Sequence, residues 1–314
     1  MKNRATFRTV AVVAIAALVG SLASMAHAAR YSAWESAQKV DEIGGNSSEV
    51  NTTFTDGCPI QSPDGLSLYM ASNRPRFVGD TRTDLDIWVA HRASTDAPWS
   101  APVNLGEPVN SAADDFCPTP VRGKGLFFVS REVLPGSCGM GDIYFSRLSP
   151  EHGWSEPAHL GCQADGGPNT ALDEQGPSYV EAGGEALLYF SSGPDIYVSE
   201  RQADGSFGPP APVAELNSAA SEIQPNVRKN GLEIVFASNR AGAGAQGGQD
   251  VWMATRGSID EPWSTPVNAG VAVNTAANET RPSFSRDALT LYFGRAPGPE
   301  GSSDIYVTTR NKER

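Results

Sequence analysis

Short, nearly continuous apolar runs recur along this chain, each preceded by a polar turn dipeptide. The runs are Leu66 to Ala71, Leu126 to Val129, Ala186 to Phe190, Leu232 to Ala237 and Leu289 to Phe293. The turns are Asp64-Gly65, Lys124-Gly125, Gly183-Gly184, Asn230-Gly231 and Asp287-Ala288; such pairs suit tight hairpins because Gly and Asn tolerate positive φ. Runs this apolar predict strands covered on both faces. A third strand is predicted from Asp86, Asp142, Asp195, Asp250 and Asp304, each followed by Ile or Val. A fourth is marked by Trp99, Trp154, Phe207 and Trp263.

Upstream of each apolar run lies a further set of landmarks. Asn51, Asn110, Asn169, Asn217 and Asn274 are each followed by Ser or Thr. Five residues on come Asp56, Asp115, Glu174, Glu222 and Glu279, and three beyond those Pro59, Pro118, Pro177, Pro225 and Pro282. Four strands per unit, repeated radially, describe a β-propeller blade. The last unit stops at Asp304-Ile305-Tyr306-Val307, before its aromatic element, and Trp34-Glu35-Ser36-Ala37 supplies one at the other end of the chain. The pattern therefore predicts an all-β, five-bladed propeller with four-stranded blades, closed when the N-terminal strand completes the last blade and protects two sheet edges.

Residues 1–28 read as a signal peptide and 29–314 as a single propeller domain. Lys2, Arg4 and Arg8 precede an apolar run from Val10 to Val19, and Ala26-His27-Ala28 offers a cleavage site. The run is short of the about 20 residues that span a bilayer. The expected location is periplasmic or secreted, without membrane insertion. Losing the three leader cations takes the formal charge from −12 to −15, a sign that disfavours nucleic acid and anionic lipid.

An exported location permits disulfides among the four cysteines. Cys138 and Cys162 flank the outer part of blade two and are expected to pair; Cys58 and Cys117 share one inner-strand position in adjacent blades and form the second candidate pair. No zinc-type Cys/His spacing, H-E-x-x-H or G-x-S-x-G motif occurs, so no metal, cofactor or catalytic residue is assigned. Asp80, Asp84 and Asp86 do not fit an EF-hand spacing and read as a solvated loop, not a calcium site. The invariant Asp at each third strand is expected to accept backbone N–H bonds from its turn.

The repeats resemble the TolB-type, WD-repeat-like propeller family in Ser62-Pro63-Asp64-Gly65, Ser72-Asn73-Arg74, Ser238-Asn239-Arg240 and the five Asp-Ile/Val landmarks. The resemblance covers residues 31–310. It implies a binding function, with enzymatic activity mainly where a protease domain is appended; TolB itself carries an N-terminal α/β domain, for which no room is expected in this sequence.

The candidate ligand-binding residues are Glu174, Asp56, Asp115, Glu222 and Glu279, which blade geometry places around one mouth of the central channel. Like charges this close need partners, and Arg74, Arg131, Arg240 and Arg295 at the second-strand ends are expected to pair with the acids of their own blades. Blade three has Ser191-Ser192-Gly193 instead of an arginine and a short Gly193-Pro194 connection, which predicts a notch beside an unpaired Glu174. The leading expectation is a monomeric, non-catalytic propeller that binds a protein, peptide or glycan on this face. The alternative is a carbohydrate-active enzyme using carboxylates at the channel mouth; two such acids without arginine partners would favour it.

Overall fold

The computed structural model describes residues 31–123 and 125–313; residues 1–30, which include the expected signal peptide, Lys124 of the blade-two turn and the last residue lie outside the described residues. Five antiparallel four-stranded sheets form a closed ring, so the chain is a five-bladed β-propeller. The inner strands, which line the axis, are Asp56–Gln61, Asp115–Val121, Glu174–Ala182, Glu222–Val227 and Asn278–Phe284. Each is followed outward by the predicted second and third strands and by a two-residue outer strand. Blade two adds a short hairpin strand, Gly153–Trp154, against the end of its third strand.

Ring closure follows the sequence expectation, with a shift in register. Gln38–Lys39 forms the outer strand of blade five, Gln38 opposite Val307 and Lys39 opposite Tyr306. Trp34 itself lies outside the strand, as do Trp99, Phe207 and Trp263 in their blades. These aromatics are interblade wedges. Trp263 stands edge-on to Tyr189 of blade three, Phe207 to Phe127 of blade two, and the Trp34 indole N–H reaches Met253 Sδ at 3.4 Å. A wide, flat side chain buries much apolar area, so each ring packs where two sheets diverge and the outer strand starts beyond it.

The other landmarks resolve into local chemistry. Each landmark Asn hydrogen-bonds both backbone groups of a third-strand residue in the preceding blade: Asn110 to Ile87 at 2.8 and 3.0 Å, Asn274 to Val251 at 2.8 and 3.0 Å. Asn51 does the same to Ile305, tying the first blade to the last. One amide thus continues a ladder where the backbone turns away. Two residues beyond each repeat acid the strand bulges, with left-handed φ at Cys58 (49°), Cys117 (49°), Gly176 (58°), Gln224 (54°) and Arg281 (55°). The Pro that follows has no N–H to donate and suits the break in the ladder. These bulged residues face the channel.

Candidate functional site

All five repeat acids are fully buried. Each caps the Ser or Thr after the landmark Asn: Thr52 N and Oγ1 donate to Asp56 at 2.7 Å, Ser218 N to Glu222 at 2.8 Å, and Thr275 Oγ1 to Glu279 at 2.7 Å. Three have the expected arginine. Arg74 pairs with Asp56, Arg240 with Glu222 at 2.9 Å and Arg295 with Glu279 at 2.7 Å.

Blade two departs from expectation. Arg131 does not reach Asp115; it bonds Asp114 at 3.0 Å and Asp173 at 2.8 Å. Asp115 is left with Ser111 and Ser130, one of its oxygens has no partner, and burial pushes its carboxyl up to about 6. Glu174 lacks an arginine, as expected. It is held by Thr170 at 2.6 Å, has one orphaned oxygen, and burial raises its pKa as well. No open notch exposes it, since Thr170 and Ser192 cover it and Leu172 lies against Gly193. Among the described residues, two acids of the ring, not one, therefore lack arginine partners.

The side chains that do meet the channel mouth come from the positions beside the repeat acids. Asp114 and Asp173 each directly precede one, and their side chains keep 30% and 14% of their exposure. Gln175 Nε2 donates to Asp173 at 2.8 Å, and Gln224 Nε2 donates to Gln175 Oε1 at 2.8 Å. The Arg281 N–H donates to Gln224 Oε1 at 3.2 Å. A hydrogen-bonded chain thus runs from Arg131 through blades three and four to Arg281 in blade five. The sequence expectation centred on the repeat acids themselves, which are buried, whereas the carboxylates that keep exposure stand one residue before two of them. The available signal was the pair Asp114-Asp115 and Asp173-Glu174, doubled acids in two adjacent blades only.

Below this layer the axis is nearly shut. A cavity of about 30 Å³, room for one water, remains among Cys58, Cys117, Gly176, Gln224 and Arg281. Both expected disulfides are present, Cys58–Cys117 across the channel wall with Cα atoms 4.9 Å apart and Cys138–Cys162 at 5.5 Å. A larger cavity of about 310 Å³ opens at the opposite mouth, where among the described residues Glu181 is the one acid lining it, hydrogen-bonded by Tyr179, without a second carboxylate beside it. The carboxyls of the first long loop are ion-paired, Asp80 with Arg76 and Asp84 with Arg82. The third-strand Asp residues bind their turns as expected in blades two, four and five, through the N–H groups of Cys138, Gln246 and Glu300. Cys138, Asp142 and His159 lie together, but the sulfur is committed to a disulfide.

The geometry so far defines a closed five-bladed propeller with a carboxylate and arginine network at one channel mouth. No protein-family model and no curated protein matches the chain. Solved structures with this architecture include an endo-arabinanase from Bacillus licheniformis of glycoside hydrolase family 43 (13% identity, 81% of this chain and 93% of that one, TM-score 0.50). An exo-1,5-α-L-arabinanase from a bovine ruminal metagenomic library aligns over 84% of this chain and 99% of its own at 12% identity, TM-score 0.51. A xylan β-1,4-xylosidase from Bacillus halodurans aligns over 84% of this chain and 53% of its own at 13% identity, TM-score 0.50. At these identities the shared property is the fold. The expectation of a non-catalytic binding propeller is corrected here: the neighbouring structures are named as glycoside hydrolases, and two ring acids lack arginines where one was expected.

Proposed function

We propose that this propeller hydrolyses glycosidic bonds, with Asp114 and Asp173 as the reacting carboxylates. The observation that carries the reading is their juxtaposition. They project from adjacent blades, keep solvent contact, and share one guanidinium at 3.0 and 2.8 Å. That bridge limits their nearest oxygens to a separation of about 8 Å or less, compatible with the roughly 5–9.5 Å between carboxyls flanking a scissile bond. Gln175 and Gln224 offer amides for sugar hydroxyls. The shared architecture with arabinanases and a xylosidase supports a glycan substrate, and two disulfides support an exported enzyme.

The chemistry requires one carboxyl to protonate the leaving oxygen and the other to activate water or attack the sugar. Arg131 holds both side chains in place. The test is release of sugars from a panel of arabinan, xylan and uronate-containing polymers by the mature protein. Asp114→Asn and Asp173→Asn are each expected to lower kcat by on the order of 10²–10⁴. A wild-type protein that releases nothing from the panel, or Asn variants as active as wild type, would end this reading.

A further inference from the structure

Arg281 differs from the other arginines of the ring. Arg74, Arg240 and Arg295 each hold a repeat acid, and Arg131 divides itself between Asp114 and Asp173. Arg281 occupies the bulged inner-strand position of blade five, with φ 55°. The equivalent positions carry Cys58 and Cys117, bonded to each other, and Gln224, which reaches Gln175. The position therefore projects toward the axis.

The guanidinium is accommodated but not neutralised. Its Nη1 lies over Gly57 of blade one, where an added Cβ would stand only 3.1 Å away, so a glycine there keeps the space open. The Phe116 ring is 5.9 Å from its Cζ, on the flank shared with Arg131 at 4.7 Å. Among the described residues the Arg281 side chain makes no hydrogen bond, and no carboxylate lies within salt-bridge distance. Among the described residues none of its nitrogens is both sealed off and unpartnered, so each keeps at least slight contact with solvent, and the side chain as a whole is partly buried. Burial, with Arg131 adding repulsion that Asp114 and Asp173 partly offset, holds its pKa down to about 10. A half-buried cation that no carboxylate touches is poorly solvated even with Asp114 and Asp173 nearby, and an anion bonded directly to it would relieve that cost.

The chemistry of the anion follows from the surroundings. One planar guanidinium fork matches a carboxylate with two parallel hydrogen bonds. The adjacent Asp114 and Asp173 share a single arginine, so a dianionic group would meet more repulsion than a monoanion. Arg281 is also linked, through its own N–H and the Gln224–Gln175 chain, to Asp173. A carboxylate seated on Arg281 would thus present the sugar that carries it to the proposed reacting pair.

We propose that Arg281 receives a substrate carboxylate, so that the glycan handled at this mouth is acidic and uronate-bearing. The inference rests on the glycosidase reading of the same site and names its substrate class. The experiment measures calorimetric affinities of the mature wild-type protein for oligogalacturonate and for its carboxyl-reduced, neutral counterpart of equal length. Polymer hydrolysis is assayed in parallel. Wild type is expected to bind the acidic oligomer at least tenfold more tightly, with the ratio falling as salt rises. In Arg281→Gln the ratio should collapse toward one, and in Arg281→Lys, which keeps the charge but loses the fork, it should be intermediate. Thermal unfolding checks that each variant folds; if Arg281→Gln does not, Arg281→Lys and the wild-type ratio decide. Equal wild-type affinity for the two oligomers, or a ratio that survives in the folded variants, overturns the inference. So does tighter binding of a sulfated neutral oligomer than of the uronate. Hydrolysis of neutral polymers without acidic preference defeats this inference alone, whereas acid-selective binding with no hydrolysis of any polymer defeats the glycosidase reading alone.

Discussion

At the residue scale, the same repeat position has opposite energetic consequences in different blades. Glu222 is buried with Arg240 at 2.9 Å, so Glu222→Gln strips a partner from a cation that is itself largely buried. A loss of about 3 kcal/mol is expected, in line with breaking one side of a buried pair. Asp115 has no cation, and its pKa rises from 3.8 to about 6. Between those values the folded protein binds more protons than the unfolded chain, so this group's contribution falls as pH rises through that window. Asp115→Asn keeps an oxygen for the Ser111 N–H and removes the buried charge. It is expected to stabilise at pH 7–8 by on the order of 1–3 kcal/mol, with the gain vanishing below about pH 4. Urea titrations across pH check both variants; a destabilised Asp115→Asn at pH 8 contradicts the desolvation argument.

At the scale of elements, the ring depends on strands too short to announce themselves. Outer strands of two residues, such as Gln38–Lys39 and Val267–Asn268, carry no periodicity, and only the preceding aromatic signals them. That is why the sequence pattern located the fifth outer strand at Trp34 and missed its register. The inner, second and third strands were legible because turn dipeptides, apolar runs and the Asp-Ile/Val landmark bracket them. The site was half legible. The mouth and the missing arginine of blade three followed from alignment of the repeats, but Arg131's choice of Asp114 and Asp173 depends on interblade distances that no single repeat encodes. Trp34 is buried between blades four and five with Met253 and Phe284, and it leads into the closing strand. Trp34→Ala is expected to cost about 3–5 kcal/mol. Deleting residues 31–40 should cost more, since it also exposes the blade-five edge and removes Lys39, which is buried against Asp41 and Glu300. Denaturant midpoints unchanged by the deletion would refute velcro-like closure by this strand.

At the scale of the whole molecule, every blade borrows from its neighbour: an aromatic wedge on one side, an asparagine-mediated ladder on the other, and at the axis hydroxyls and amides such as Thr119 and Asn226 bonded to the next inner strand. A closed ring of such contacts has no terminal repeat at which unfolding can start cheaply, in contrast to an open solenoid. The two disulfides act on this ring differently. Cys138–Cys162 closes a separation of 24 residues at the edge of blade two, whereas Cys58–Cys117 spans 59 and joins the inner strands of blades one and two on the channel wall. Constraint of the unfolded chain is worth about 3.5 and about 4 kcal/mol for loops of these lengths. Entropy alone therefore makes the bridges nearly equal, and packing separates them. Cys58 and Cys117 are both buried beside Phe116 and Val129, so a variant with alanine at both positions also loses packed sulfur, while the Cys138–Cys162 pair lies nearer the surface. The double-alanine variant of the channel pair is accordingly expected to melt lower than that of the outer pair, and both below wild type. Because the channel bridge also borders the cavity of about 30 Å³ under Arg281, its loss should weaken the oligosaccharide binding proposed for the mouth, and loss of the outer bridge should not. Calorimetric melting and binding of the two variants test this together; a channel-pair variant that melts and binds as wild type does would show that the axis is held by the inner strands alone.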